Sequence, residues 1–141
     1  MRNCAVLHAE DDDAMAYLFR AALDEAGVRV SVYRVSDGEQ ALCFVRKLGV
    51  YHNAKRPELL VLDINMPRID GWTVLSEMQA DHQLRTIPVV VLSTGSSKAD
   101  RDRAKSLGAR EYFTKPHTFE RLVEDVRNLS TQYLDHEVVS L

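Results

Sequence analysis

A chain of 141 residues, 45% hydrophobic and 28% charged, is long enough to bury one core of ordinary size and is expected to fold as a single domain. Its net charge of -3 offers no general attraction to nucleic acid. No run of about 18 apolar residues offers a membrane span, and Met1-Arg2-Asn3-Cys4 leads straight into an apolar run, so a cytoplasmic globular protein without a signal peptide is expected.

The first apolar run, residues 4–9, reads as a strand and ends in Glu10-Asp11-Asp12-Asp13. A helix over 14–26 follows, with Gly27 placed to stop it. A second strand over 28–34 leads to a helix over 38–48, with Gly49 at its end and a polar connection over 50–58 beyond. Leu59-Leu60-Val61-Leu62 then delivers Asp63 to the end of a third strand, 59–64, and the turn residues Asn65 to Gly71 open a helix over 71–80. The fourth strand, 89–93, ends in Ser93-Thr94, and its helix, 98–107, meets Gly108. The fifth strand, 111–114, ends in Lys115-Pro116. The last helix, 119–133, is apolar at 119, 122, 123, 126, 129 and 133, a spacing that buries one face. Cys4 and Cys43 lack CxxC spacing, sit among apolar neighbours and are read as reduced core residues.

Strict alternation of strand and helix implies an α/β, doubly wound five-stranded parallel sheet with five helices. The fourth strand lacks polar alternation, as expected where both faces are covered. The flavodoxin-like order 2-1-3-4-5 puts ligands at the carboxyl ends of strands one and three. There the acid cluster, the isolated acid, the hydroxyls and the lysine share one edge. A carboxylate at the end of a buried strand costs free energy unless it is paired. Clustered carboxylate oxygens select Mg²⁺ or Mn²⁺ and are otherwise raised in pKa by one another. For Glu10 and Asp11 the alternative is a capping role for the next helix, which Asp12 or Asp13 fills as well. Ser93 and Thr94 are both open as the inward hydroxyl, since one residue of register exchanges them. His8 reads as a strand residue and Trp72 as a surface or half-buried helix residue.

In order and spacing these motifs resemble the receiver domain of the two-component response regulators, from about residue 4 to 133. The run Leu84-Arg85-Thr86-Ile87-Pro88-Val89-Val90-Val91-Leu92-Ser93-Thr94 and the long connection before Leu59 resemble the small single-domain regulators paired with phytochrome-type histidine kinases. The resemblance implies that Asp63 accepts a phosphoryl group from a kinase phosphohistidine. It also implies that Glu10, Asp11, Asp63 and the backbone carbonyl of Asn65 hold Mg²⁺, with Mn²⁺ able to substitute and Asp11 the more direct ligand. Lys115 then pairs with Asp63 and afterwards with a phosphate oxygen, across a cis bond to Pro116, while Ser93 and Tyr112 form the switch. Gly95 departs from relatives that carry an acid or amide at that place, which bears on access of hydrolytic water.

On this reading residues 1–133 are a receiver domain and 134–141 a C-terminal tail without an output domain, so the signal leaves by protein contact. The protein catalyses its own phosphorylation and dephosphorylation rather than turning over a metabolite. Expected partners are a sensor histidine kinase, a phosphotransfer protein and a second copy of the chain, the last through apolar surface at Tyr133, Leu134, Val138, Val139 and Leu141. Neither nucleic acid nor membrane is expected. The competing readings are a receiver-fold binding module that needs no phosphorylation and an aspartate-nucleophile hydrolase. The hydrolase is poorly served, because the residue two beyond Asp63 is Asn65, which cannot act as a general acid.

Overall fold

Apolar runs too short for helices become the strands of the computed structural model, which describes residues 4–95 and 97–134. Strands β1 (Ala5–Ala9), β2 (Ser31–Val35), β3 (Leu59–Leu62), β4 (Val89–Ser93) and β5 (Glu111–Thr114) form one parallel sheet in the order β2-β1-β3-β4-β5. Helices α1 (Asp13–Glu25), α2 (Gly38–Arg46), α3 (Gly71–Gln79), α4 (Lys98–Ser106) and α5 (Phe119–Tyr133) connect and follow them, with a short 3₁₀ turn at Gly49–Tyr51. The expected fold class and strand order are those observed.

Because side chains alternate across a strand, each buried strand feeds two cores. Leu7, Leu60, Leu62 and Val91 meet α2 and α3 through Leu42, Phe44, Val74, Leu75 and Met78. Val6, Val61, Val90 and Leu92 meet α1 and α5 through Phe19, Leu23, Leu122, Val126 and Leu129. Each helix starts on a side-chain cap: Asp12, Asp37, Asp70, Ser97 and Thr118 accept from backbone N–H groups of the first turn. The cap of α1 is thus Asp12, while Asp13 is its first residue. Helix α4 differs from the rest, since only Ala104 among its residues is buried. It is fastened by two arginines. Arg101 lies over the Tyr112 ring at 5.1 Å and donates to the Tyr112 carbonyl, and Arg103 lies over Trp72 at 4.2 Å.

Several boundaries depart from the sequence reading. The regular β2 begins at Ser31 rather than at 28, where Val28 makes only an isolated bridge: Gly27 turns with φ 73, its N–H bonds to Asp24 O, and the Val28 N–H reaches back to Leu23 O. Apolar Val28 is buried there as the hydrophobic partner of that closure. Helix α2 stops before Gly49, because Lys47 takes the left-handed position with φ 57 and the Leu48 N–H closes on Cys43 O. Cys4 is buried as expected, but Cys43 is only half-buried.

At the far end of α5, Tyr133 donates its hydroxyl to Glu111 Oε2 at 2.9 Å and Leu134 is buried. These two residues pack inward and are not free apolar surface; Val138, Val139 and Leu141 lie outside the described residues. Burial, then the neighbouring Glu111 carboxylate, pushes the Tyr133 phenol up to about 12 from 10.0. The fold therefore keeps a proton that the unfolded chain releases, and stability falls as pH rises from about 10 to about 12. Tyr133→Phe is expected to remove the latest-titrating component of the tyrosinate absorbance and to flatten thermal stability across that window.

Candidate functional site

The carboxyl ends of β1, β3 and β5 converge on three carboxylates and one ammonium group. Glu10 follows β1, with its N–H bonded to Val35 O at 3.0 Å and its side chain fully buried. Asp63 follows β3, with its N–H bonded to Ala9 O at 3.0 Å and its side chain also buried. Parallel pairing of β1 with β3 thus sets the two acids side by side. Asp11 is the next residue of the turn and is exposed. One carboxylate oxygen from each of Glu10, Asp11 and Asp63 lies within 4.8 Å of the others.

Lys115 enters from the end of β5, its backbone N–H donating to Ser93 O at 2.7 Å. Its Nζ donates to Asp63 Oδ2 at 3.2 Å and lies 2.8 Å from Glu10 Oε1, an ion pair set off the hydrogen-bond axis. The other oxygen of each acid takes a backbone donor: Asn65 N–H to Asp63 Oδ1 at 3.1 Å, and Asp12 N–H to Glu10 Oε2 at 3.3 Å. The loop after Asp63 is held close by Gly71, where a Cβ would stand 2.7 Å from Asp63 O and from Ile64 Cα. Any larger residue there must push the Asp63 loop outward.

Burial raises the Glu10 carboxyl to about 7, and the Asp63 charge adds to that rise while Lys115 opposes it. Burial pulls Lys115 down, but the Glu10 and Asp63 carboxylates outweigh it and hold the ammonium pKa above its usual value. Three acids facing one lysine leave a local excess of negative charge. Oxygen donors of this kind, partly open to solvent through Asp11, fit a small hard divalent cation that keeps waters of its own. Asn65 is exposed beside Asp63 in the same loop.

The register at the end of β4 resolves the two hydroxyls: Ser93 is buried and Thr94 exposed. Tyr112 on β5 is buried and donates its hydroxyl to Gly95 O at 2.6 Å. Burial raises the Tyr112 phenol and the nearby Ser93 hydroxyl eases it, so the two expected switch residues lie on neighbouring strands at the same end of the sheet. The Lys115–Pro116 bond, for which the resemblance implies cis, is trans, as is every peptide bond among the described residues. Trans is the form an X–Pro bond prefers by about 0.5–1 kcal/mol.

His8 is a buried strand residue, tilted against Phe19 with ring centroids 4.2 Å apart. Burial first, then the charges of Lys115, Arg34 and Arg20, push it down to about 3, so it is neutral beneath the acidic turn. Trp72 is half-buried. Arg34 received no role from the sequence, yet its Nε donates to Glu10 O at 2.8 Å and its Nη1 pairs with Asp13 Oδ1 at 2.7 Å. A lone arginine in a short strand carries no signal of that contact, which exists only once β2 is laid beside β1. Between α4, β5 and α5 a groove of about 440 Å³ is lined by Arg101, Tyr112, Lys115, His117, Arg121 and Asp125 among others.

Among known proteins, the family described as response regulator receiver domain matches residues 6–127. A probable methanogenesis regulatory protein, FilR2 of Methanothrix harundinacea, is 35% identical over 129 residues, spanning 92% of this chain and 83% of the relative. Response regulator Rcp1 of Synechocystis is 32% identical over 130 residues, spanning 92% and 88%. The solved Mn²⁺-bound form of Rcp1 superposes with a TM-score of 0.85 at 30% identity, covering 98% of this chain and 99% of that one. The phosphorylated cyanobacterial phytochrome response regulator RcpA superposes with a TM-score of 0.88 at 34% identity, covering 99% and 100%. No helix among the described residues is long and apolar enough to cross a membrane.

Proposed function

The chain belongs to the response regulator receiver domain family, and from that premise we propose that it is a signalling protein that accepts a phosphoryl group on Asp63. The observation that carries this reading is the meeting of Glu10, Asp11 and Asp63 within 4.8 Å, with Lys115 bridging two of them. The donor is a histidine kinase phosphohistidine. Asp63 Oδ attacks phosphorus, the P–N bond breaks, and its electron pair returns to the donor imidazole. Lys115 moves from the free carboxylate to a phosphoryl oxygen as charge is transferred. Glu10, Asp11, Asp63 and the Asn65 carbonyl would hold Mg²⁺, or Mn²⁺ in its place, which supplies neutralising charge to the transferring group.

The added charge of about -1.5 to -2 draws the Ser93 hydroxyl inward. Tyr112, near Ser93 and bonded to the Gly95 carbonyl, transmits that shift to the groove between α4, β5 and α5. Likeness to the phytochrome response regulator RcpA supports a phytochrome-type kinase as the partner, with onward passage to a phosphotransfer protein or a protein target. A homodimer formed in part by residues 135–141 belongs to the same reading; sedimentation of the full chain against one ending at Leu134 tests it, and identical monomers would exclude it.

The test of function is intact mass after incubation with acetyl phosphate, with and without Mg²⁺. One added phosphoryl group that requires the metal is the expected result. No addition under either condition overturns the proposal in favour of a binding module that acts unmodified.

A further inference from the structure

We infer that Arg34 is a positioning residue for the cation site, a clamp that aims the Glu10-Asp11 turn; the inference rests on reading that turn as metal-binding. Both peptide groups around the Glu10 Cα are held by consecutive residues of β2. Val35 takes the Glu10 N–H through its carbonyl, and Arg34 gives its Nε–H to the Glu10 carbonyl at 2.8 Å. The Glu10 carboxylate has holds of its own, the Asp12 N–H and Lys115. Asp11 has none: its carboxylate makes no hydrogen bond or ion pair among the described residues. The direction in which Asp11 points is therefore set by backbone alone, between the Glu10 carbonyl fixed by Arg34 and the Asp12 cap of α1. Arg34 Nη1 also meets Asp13 Oδ1, an exposed ion pair that adds little to the hold on the turn.

Charge by itself would give Arg34 the opposite effect. A guanidinium close to the turn repels a divalent cation, and its removal also frees the Asp13 carboxylate to attract one. The side chain further carries a buried Nη2 without a hydrogen-bond partner among the described residues, which costs free energy. What Arg34 contributes to the site is thus the geometry of its Nε bond to the Glu10 carbonyl. Pure electrostatics predicts tighter metal binding when Arg34 is neutralised; positioning predicts weaker binding. The two accounts differ in sign.

The experiment is titration of Mn²⁺ into the metal-free full-length protein, followed by the electron paramagnetic resonance signal of free Mn²⁺. Arg34→Met, which keeps an apolar stem and no donor, is expected to weaken Mn²⁺ binding about tenfold, as loss of an outer partner of metal ligands does. Arg34→Lys retains the charge without the Nε–H and is expected to weaken it likewise, and it bears the test if the Met variant fails to fold. Asp13→Asn leaves the Nε bond intact and is expected to stay within about twofold of wild type. At saturating Mg²⁺, phosphoryl incorporation into the Arg34 variants should recover the wild-type rate, with only the half-saturating Mg²⁺ concentration raised. Equal or tighter Mn²⁺ binding in both Arg34 variants overturns the clamp while leaving the cation site standing. Absence of Mn²⁺ binding in the wild type overturns both.

Discussion

Asp63→Asn is expected to abolish phosphoryl incorporation and, in the absence of metal, to raise the melting temperature. The amide keeps the shape of the side chain and an oxygen for the Asn65 N–H, so the loop after β3 has no reason to move. It lacks the nucleophilic carboxylate, and loss of the nucleophile lowers the rate on the order of 10³-fold or more. The stability gain follows from the neighbours. Asp63 is one of the causes that push Glu10 up to about 7, and neutralising it removes a buried like charge. Relief of that repulsion favours the folded state, and a small stability gain reads as a rise of a few degrees, about 2–4 °C per kcal/mol or more for a domain of this size. Intact mass and a thermal melt read the two effects separately. Persistent incorporation in the variant would place the acceptor elsewhere, and a lowered melting temperature would show that the carboxylate is satisfied rather than crowded.

Lys115→Met carries the second large effect, and here stability and rate move together until metal is added. Lys115 lies within ion-pair distance of both Glu10 and Asp63, whose side chains are almost fully buried. Removing one partner of a buried ion pair costs about 3 kcal/mol or more, because the stranded charges keep their desolvation penalty. Glu10 then holds its proton to a higher pH, since Lys115 is what opposes its rise. A divalent cation supplies the missing positive charge, so Mg²⁺ should restore most of the lost thermal stability and bind more tightly than to wild type. It should not restore the rate. An ammonium aimed at the developing charge contributes about 10²–10³ in rate when it is preorganised, and a metal at a different point of the site cannot replace it. Thermal melts and acetyl phosphate time courses, each with and without Mg²⁺, check both halves. Wild-type rates in the variant would remove Lys115 from the chemistry.

Much of this arrangement was legible in the sequence, for identifiable reasons. Four consecutive apolar residues ending at Asp63, and similar runs ending at Glu10, Ser93 and Lys115, fixed which groups share the edge once the sheet is parallel. Finer features were decided by contacts that the linear pattern does not carry. A strand buried on both faces has no polar alternation, so Val89–Ser93 could not say whether Ser93 or Thr94 points inward; pairing with β3 and β5 decided it. Apolar Val28 closes the turn after α1 and makes an isolated bridge ahead of β2, because an apolar residue after a helix-stopping glycine can serve both purposes. Lys47 takes the left-handed position that ends α2, two residues ahead of Gly49, which is left-handed as well with φ 60; a left-handed lysine is a strain that propensity alone argues against. Arg34 was silent because its partner, Glu10, is 24 residues away and is reached only across the paired ends of β1 and β2.

The fastening of α4 has a consequence for how the protein can change shape. Helices α1, α2, α3 and α5 each bury several side chains, and shifting any of them would open voids in a close-packed interior. Helix α4 buries Ala104 alone and otherwise rests on Arg101 and Arg103 laid across aromatic rings, Arg101 also donating to the Tyr112 carbonyl and Thr114 Oγ1. A guanidinium can slide over a ring, or exchange it for water, without leaving a hole behind. The one helix that can glide at low cost is thus the one that touches Tyr112 on one side and Trp72, the chain's single tryptophan, on the other.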